Sequence, residues 1–207
     1  MHLLKKRFFL IFIFSLISFI IAISLNQFRG YPFQMMFDDV AAARGKFTGI
    51  LVGLFSNIGL FLLSAAAGIS FISLKLPKIK NQLNIDKFFS FSFFFSFVLL
   101  IDDAFLLHEK VLPDRGIPEI IIFILYFLYG FYGLIINYKF ISNSSWKILL
   151  LANLFFAISF FCDLKLNNVI DYDLLIFIED FAKLTGVFSW LIYIYDTSIL
   201  CLITKDK

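Results

Sequence analysis

The chain has 207 residues, of which 61% are hydrophobic and 16% are charged, and its mean hydropathy is +0.92. Soluble domains contain roughly 45–50% apolar and about 25% charged residues, so the composition argues against an ordinary soluble domain and predicts a membrane protein. The net charge of +3 comes without a basic, aromatic-interleaved patch, which argues against nucleic acid as a partner.

The apolar residues are grouped into long runs. A helix needs about 20 apolar residues to cross a hydrocarbon core of roughly 30 Å, and six runs qualify. We therefore expect an all-α, polytopic membrane protein with six transmembrane helices in one bundle, which makes residues 1–207 a single integral membrane domain. The runs cover residues 8–25, 47–74, 88–108, 118–138, 147–163 and 174–203.

The first run and the basic residues predict the orientation. The run is longer than the roughly 7–15-residue apolar core of a signal peptide, which favours an uncleaved first helix over a cleaved leader. With the N-terminus inside, most Lys and Arg residues fall on the cytoplasmic side. This positive-inside bias predicts that both termini lie in the cytoplasm.

Two patterns in the middle runs predict which helix faces are packed. Ser64-x-x-x-Gly68 in the second run places small residues four apart, a spacing that lets helix backbones approach closely, and we expect packing inside the chain. In the fourth run, Tyr126, Tyr129 and Tyr132 recur every three residues. Residues at this spacing are neighbours on a helix, which predicts an aromatic seam toward the bundle interior.

Charged residues interrupt two of the runs. Ionisable groups inside a membrane are costly and mark a functional site by default. One group of charged residues lies near the end of the third run and the other near the start of the sixth. If these two helices are antiparallel, both groups lie about 8–9 Å beneath the outer membrane surface. We therefore expect them to converge in the outer third of the bundle. The predicted site consists of Asp102, Asp103, Glu109, Glu179, Asp180 and Lys183, with His108 as a candidate metal ligand.

Helical geometry and charge constrain that site. On an ideal helix the directions of Asp102 and Glu109 differ by about 20°, whereas His108 points about 120° away from Asp102. Five carboxylates and one ammonium group cannot remain together in a low-dielectric region unless they pair, bind metal or take up protons.

Three interpretations follow. In the first, the cluster is a structural polar network that includes an i, i+4 ion pair between Glu179 and Lys183. In the second, His108 joins Asp102, Asp103 and Glu109 in a site for Mn, Fe or Mg, which could activate water against a lipid-borne bond. In the third, the carboxylates titrate during proton- or ion-linked transport.

The leading hypothesis is a membrane binding or assembly protein whose cluster recognises a cation, a proton or a lipid headgroup. A metal-dependent intramembrane enzyme acting on a lipid and a purely structural protein are the alternatives. The expected partners are the lipid bilayer and either further copies of the chain or other membrane subunits, and the possible cofactor is a divalent metal.

Two motifs carry a family resemblance over roughly the C-terminal half of the chain. They are Asp102-Asp103-x4-His108-Glu109 and Glu179-Asp180-x2-Lys183-x2-Gly186-x3-Trp190. This combination resembles a pattern in small, uncharacterised bacterial multi-pass membrane proteins. The resemblance implies a six-helix inner-membrane protein and brings no assigned activity.

Overall fold

The computed structural model describes residues 2–37, 49, 51–76, 83–163 and 172–203. Every regular element among these residues is helical, which confirms the all-α prediction. The α-helices are α1 (His2–Arg29), α2 (Phe33–Phe37), α3 (Leu54–Lys75), α4 (Leu83–Phe105), α5 (Glu119–Ile136), α6 (Tyr138–Ser142), α7 (Trp146–Asp163) and α8 (Tyr172–Ile203). Between α4 and α5 the chain forms a π-helical turn, Leu107–Val111, and a 3-10 turn, Pro113–Arg115.

Each predicted apolar run corresponds to one long helix. Four helices are long and apolar enough to cross a membrane, over Leu4–Arg29, Leu54–Lys75, Asn84–Phe105 and Glu119–Ile136. The fifth run corresponds to a shorter apolar helix, Trp146–Cys162, and the sixth lies within α8. The third helix ends at Phe105, three residues before the predicted end of its run.

The chain divides into two compact units, and the first combines Met1–Gly59 with Leu151–Ser189. Aromatic rings form much of its core: Phe14 stacks on Phe188 with ring centroids 4.0 Å apart, and Phe33 stacks on Phe177 at 4.5 Å. These contacts hold α1 and α2 against α8. A Cβ atom added to Gly186 would lie 3.0 Å from the Phe156 ring, so α7 and α8 approach closely at this glycine.

The second unit combines Leu60–Leu150 with Trp190–Lys207. The buried Phe88 ring packs against Tyr193, whose hydroxyl is 2.9 Å from Ser144 Oγ. Farther along α4, Phe95 packs edge-on against Trp190. This unit contains the end of α4 and both turns that follow it, which include four of the predicted site residues.

Candidate functional site

The site begins where α4 stops. Phe105 is the last residue of the helix, and Leu106 adopts a left-handed conformation with φ 52° and ψ 43°. A left-handed residue turns the chain out of the helical path. The π-helical turn that follows is closed by bonds from Val111 N–H to the Leu106 carbonyl, 3.0 Å, and from Leu112 N–H to the Leu107 carbonyl, 2.9 Å.

Asp102 holds this turn in place. Its carboxylate is only 2% exposed, and Oδ1 accepts a hydrogen bond of 2.9 Å from the backbone N–H of His108. Its other oxygen, Oδ2, is 2.5 Å from Nδ1 of the His108 imidazole. One buried carboxylate therefore fixes both the backbone and the ring of His108.

This arrangement differs from the prediction for an ideal helix. The expected angle of about 120° between Asp102 and His108 is wrong, because the chain leaves the helix at Leu106 between them. The sequence offered only an indirect signal for this break, since Pro113 and Gly116 follow several residues later. Leu106 and its role were missed.

The imidazole of His108 is enclosed on three sides. Nδ1 faces Asp102, Nε2 is 3.4 Å from Oε1 of Glu109, and the ring centroid is 5.0 Å from that of Phe123 on α5. The Glu109 side chain is 30% exposed. The site therefore runs from a buried carboxylate, through a buried imidazole, to a partly exposed carboxylate, and Phe123 is a second residue that sequence reasoning missed.

Asp103 completes the group. Asp102, Asp103 and His108 each offer one possible ligand atom, and these atoms lie within 4.8 Å of one another. Oxygen and imidazole nitrogen are ligands that Mn, Fe and Zn accept. Across the described ranges, these three residues are the one set of three or more His, Cys, Asp or Glu side chains that could hold a metal ion.

The other predicted site residues lie on α8. Glu179, Asp180 and Lys183 are half-buried there, and they belong to the first compact unit, whereas residues 102–109 belong to the second. The structure thus brings Asp102, Asp103, His108 and Glu109 together. The convergence of the two groups stays a prediction.

Comparison with known proteins assigns the chain to a family but gives no activity. No curated protein and no solved structure matches the chain. A family model described as a domain of unknown function, DUF8692, matches residues 9–197, which is nearly the whole chain and includes every predicted site residue. The chain therefore belongs to the DUF8692 family.

Proposed function

We propose that this protein is a six-span inner-membrane protein that binds a divalent cation at the end of α4. Four helices with the length and composition of membrane spans support the membrane location. The apolar α7 and the 32-residue α8 supply the remaining two spans. Most of the Lys and Arg residues then face the cytoplasm together with both termini, as positive-inside topology requires.

The observation that carries the cation proposal is the position of Glu109 relative to the imidazole. A neutral imidazole has one N–H donor and one nitrogen lone pair. Because Asp102 Oδ2 lies 2.5 Å from Nδ1 and a lone pair there would repel the carboxylate, we assign the proton of a neutral His108 to Nδ1. Nε2 of a neutral His108 then presents its lone pair to Glu109, an arrangement that is repulsive unless a cation lies between them.

The separation of these two atoms favours a metal ion over a proton. A charge-assisted N–H···O bond is about 2.7–2.9 Å long, whereas Nε2 and Oε1 are 3.4 Å apart. Neighbouring ligands around a metal with bonds of about 2.1–2.2 Å lie about 3.0–3.4 Å apart, from the octahedral to the tetrahedral angle. Glu109 and His108 are therefore spaced as neighbouring ligands.

The remaining carboxylates have distinct roles in this proposal. Asp102 does not bind the metal but orients the imidazole, as carboxylates behind metal-bound histidines commonly do. Asp103 belongs to the same cluster, with a carboxylate oxygen within 4.8 Å of a ring nitrogen of His108. One imidazole with carboxylates suits Mn²⁺ or Fe²⁺.

The test is Mn²⁺ binding to the purified full-length protein in detergent. We expect stoichiometric binding and an electron-spin-echo modulation from an imidazole nitrogen. His108→Gln should abolish the nitrogen modulation, Glu109→Gln should weaken Mn²⁺ binding, and Asp102→Asn should weaken it by about 10–100-fold. His2→Gln is the matched control, because His2 is the only other histidine, and it should leave the binding unchanged.

Two results would contradict the proposal. Mn²⁺ that binds His108→Gln as tightly as the native protein would mean that the metal lies elsewhere. Failure to bind Mn²⁺, with both ring nitrogens of His108 protonated in the ¹⁵N spectrum, would instead make the cluster a proton-binding site.

A further inference from the structure

Two buried hydroxyl groups on α4 lack the hydrogen bonds that their surroundings require. Ser92 and Ser96 are both fully buried. Within the part of the chain that the structure describes, Ser92 Oγ has no hydrogen-bond partner. Ser96 Oγ accepts a bond of 2.9 Å from Nε1 of Trp190, but its own O–H donates to no described group.

Other buried hydroxyl groups, on α3 and α8, are hydrogen-bonded within their own helix. Ser70, Ser189 and Thr197 each donate to the carbonyl four residues earlier in their own helix, at 2.7–2.8 Å. This bond is the usual way for a Ser or Thr inside a helix to satisfy its hydroxyl. Ser92 does not make the corresponding bond to the Phe88 carbonyl.

An unpaired hydroxyl is costly in this location. Hydrocarbon offers no hydrogen-bond partners, and buried polar groups in native proteins are paired with protein or with ordered water. The residues one turn below Ser92 on the same face, Phe88 and Phe89, are buried and apolar. Leu99 and Leu100 follow Ser96 on the other side, so apolar residues flank the hydroxyl pair along α4.

The spacing of the two serines matches one water molecule. Side chains four residues apart on a helix have Cβ atoms about 5–6 Å apart. A water that bonds both hydroxyls at about 2.8 Å spans up to about 5.6 Å. Buried waters typically make about three hydrogen bonds to polar groups that would otherwise be unsatisfied.

We propose that Ser92 and Ser96 bind one internal water molecule within the second compact unit. The Ser96 hydroxyl, which already accepts from Trp190, donates to the water, and the water donates to Ser92 Oγ. The chain Trp190–Ser96–water–Ser92 links the indole on α8 to two turns of α4. This inference does not depend on the cation site.

The test is the thermal stability of Ser92→Ala in detergent, compared with Ser70→Ala. Loss of the bridged water should lower the Tm of Ser92→Ala by about 2–4 °C. Ser70→Ala removes an equally buried hydroxyl that bonds only its own helix, so its Tm should change less. An unchanged or raised Tm for Ser92→Ala would overturn the proposal, because removing a truly unpaired hydroxyl stabilises a protein.

A high-resolution experimental structure of the native protein gives an independent readout. We expect a solvent peak within about 3 Å of both Oγ atoms. A map that resolves ordered water elsewhere and has no peak between these two atoms would also overturn the proposal.

Discussion

Leu106 decides whether the candidate site can form. It is the one non-glycine residue with positive φ among the residues described, and the left-handed conformation costs an L-residue roughly 1–2 kcal/mol. The hydrogen bond from the His108 N–H to Asp102 Oδ1 and the 2.5 Å approach of the imidazole to Oδ2 exist only if the chain turns at this point. The strain at Leu106 is therefore offset by contacts of the site itself.

The relative stability of the Leu106→Gly and Leu106→Ala variants tests this conformation. Both remove the side chain, but only glycine adopts positive φ without strain. We expect Leu106→Gly to have a higher free energy of unfolding than Leu106→Ala, by roughly 1 kcal/mol. Denaturation in detergent measures the difference.

The matched control is Val98, which lies within α4 and is partly exposed. Glycine in a helix interior is less stable than alanine by about 1 kcal/mol, so Val98→Gly should be less stable than Val98→Ala. If the glycine variant is less stable than the alanine variant at both positions, Leu106 is not left-handed in the protein.

The sequence could identify the residues of the site but not its geometry. Asp102, Asp103, His108 and Glu109 stand out because ionisable groups are rare in apolar runs. Their mutual directions were derived from a continuous helix, and that assumption fails at Leu106. Leucine is a good helix former, so its residue type gives no warning of the break.

At the scale of elements, packing between α4 and α5 depends on Gly133. A Cβ atom at this position would lie 2.1 Å from Cε2 of the Phe91 ring, which is an impossible contact. Phe91 in turn packs against Tyr129 of α5, with ring centroids 5.3 Å apart. The absence of a side chain at residue 133 thus allows a large ring to fill the space between the two helices.

Alanine substitutions at the two glycines of α5 should therefore have opposite effects. Gly133→Ala should lower the free energy of unfolding by about 1–3 kcal/mol, since overpacking displaces Phe91. At Gly130 an added Cβ would make an ordinary contact of 3.6 Å with Phe95, so Gly130→Ala should gain up to about 1 kcal/mol of helix propensity. Unfolding of both variants in detergent gives the comparison, and equal effects would contradict this packing.

The positions of the helices could be predicted from the sequence, whereas the packed face of each helix was harder to predict. Hydropathy alone located the four long apolar helices, the shorter α7, and α8, because apolar length is a strong signal. The tyrosine seam was only partly right: Tyr129 contacts Phe91, but Tyr132 is 59% exposed. Residues three apart rotate by about 60° per step, so a seam with this period leaves the packed face within two steps.

The small residues of the second run show the same difficulty. Ser64 and Gly68 were expected to pack inside the chain, and both are exposed on α3. Small residues four apart permit close approach, but the spacing does not specify which neighbour approaches.

At the scale of the whole molecule, two topologies differ in the number of helices that cross the membrane. Four helices satisfy the length and composition of a span, and the proposal adds α7 and α8 as a further pair. Both topologies place the two termini on the same side, because each has an even number of spans. If the N-terminus is cytoplasmic, as we propose, the segment between α7 and α8 distinguishes the two topologies: it lies on the outer side of the membrane with six spans and on the cytoplasmic side with four.

A cysteine at residue 167 tests the topology. Asn167 lies outside the described residues, in the segment between α7 and α8. In a background that carries Cys162→Ser and Cys201→Ser, we expect Asn167→Cys to react with a membrane-impermeant maleimide in cells with a permeabilised outer membrane and an intact inner membrane. The matched control is Asn143→Cys, an exposed position between α6 and α7 that should react only after the inner membrane is broken. Labelling of residue 167 only after lysis would contradict six spans, because α7 and α8 would then not cross the membrane as a pair.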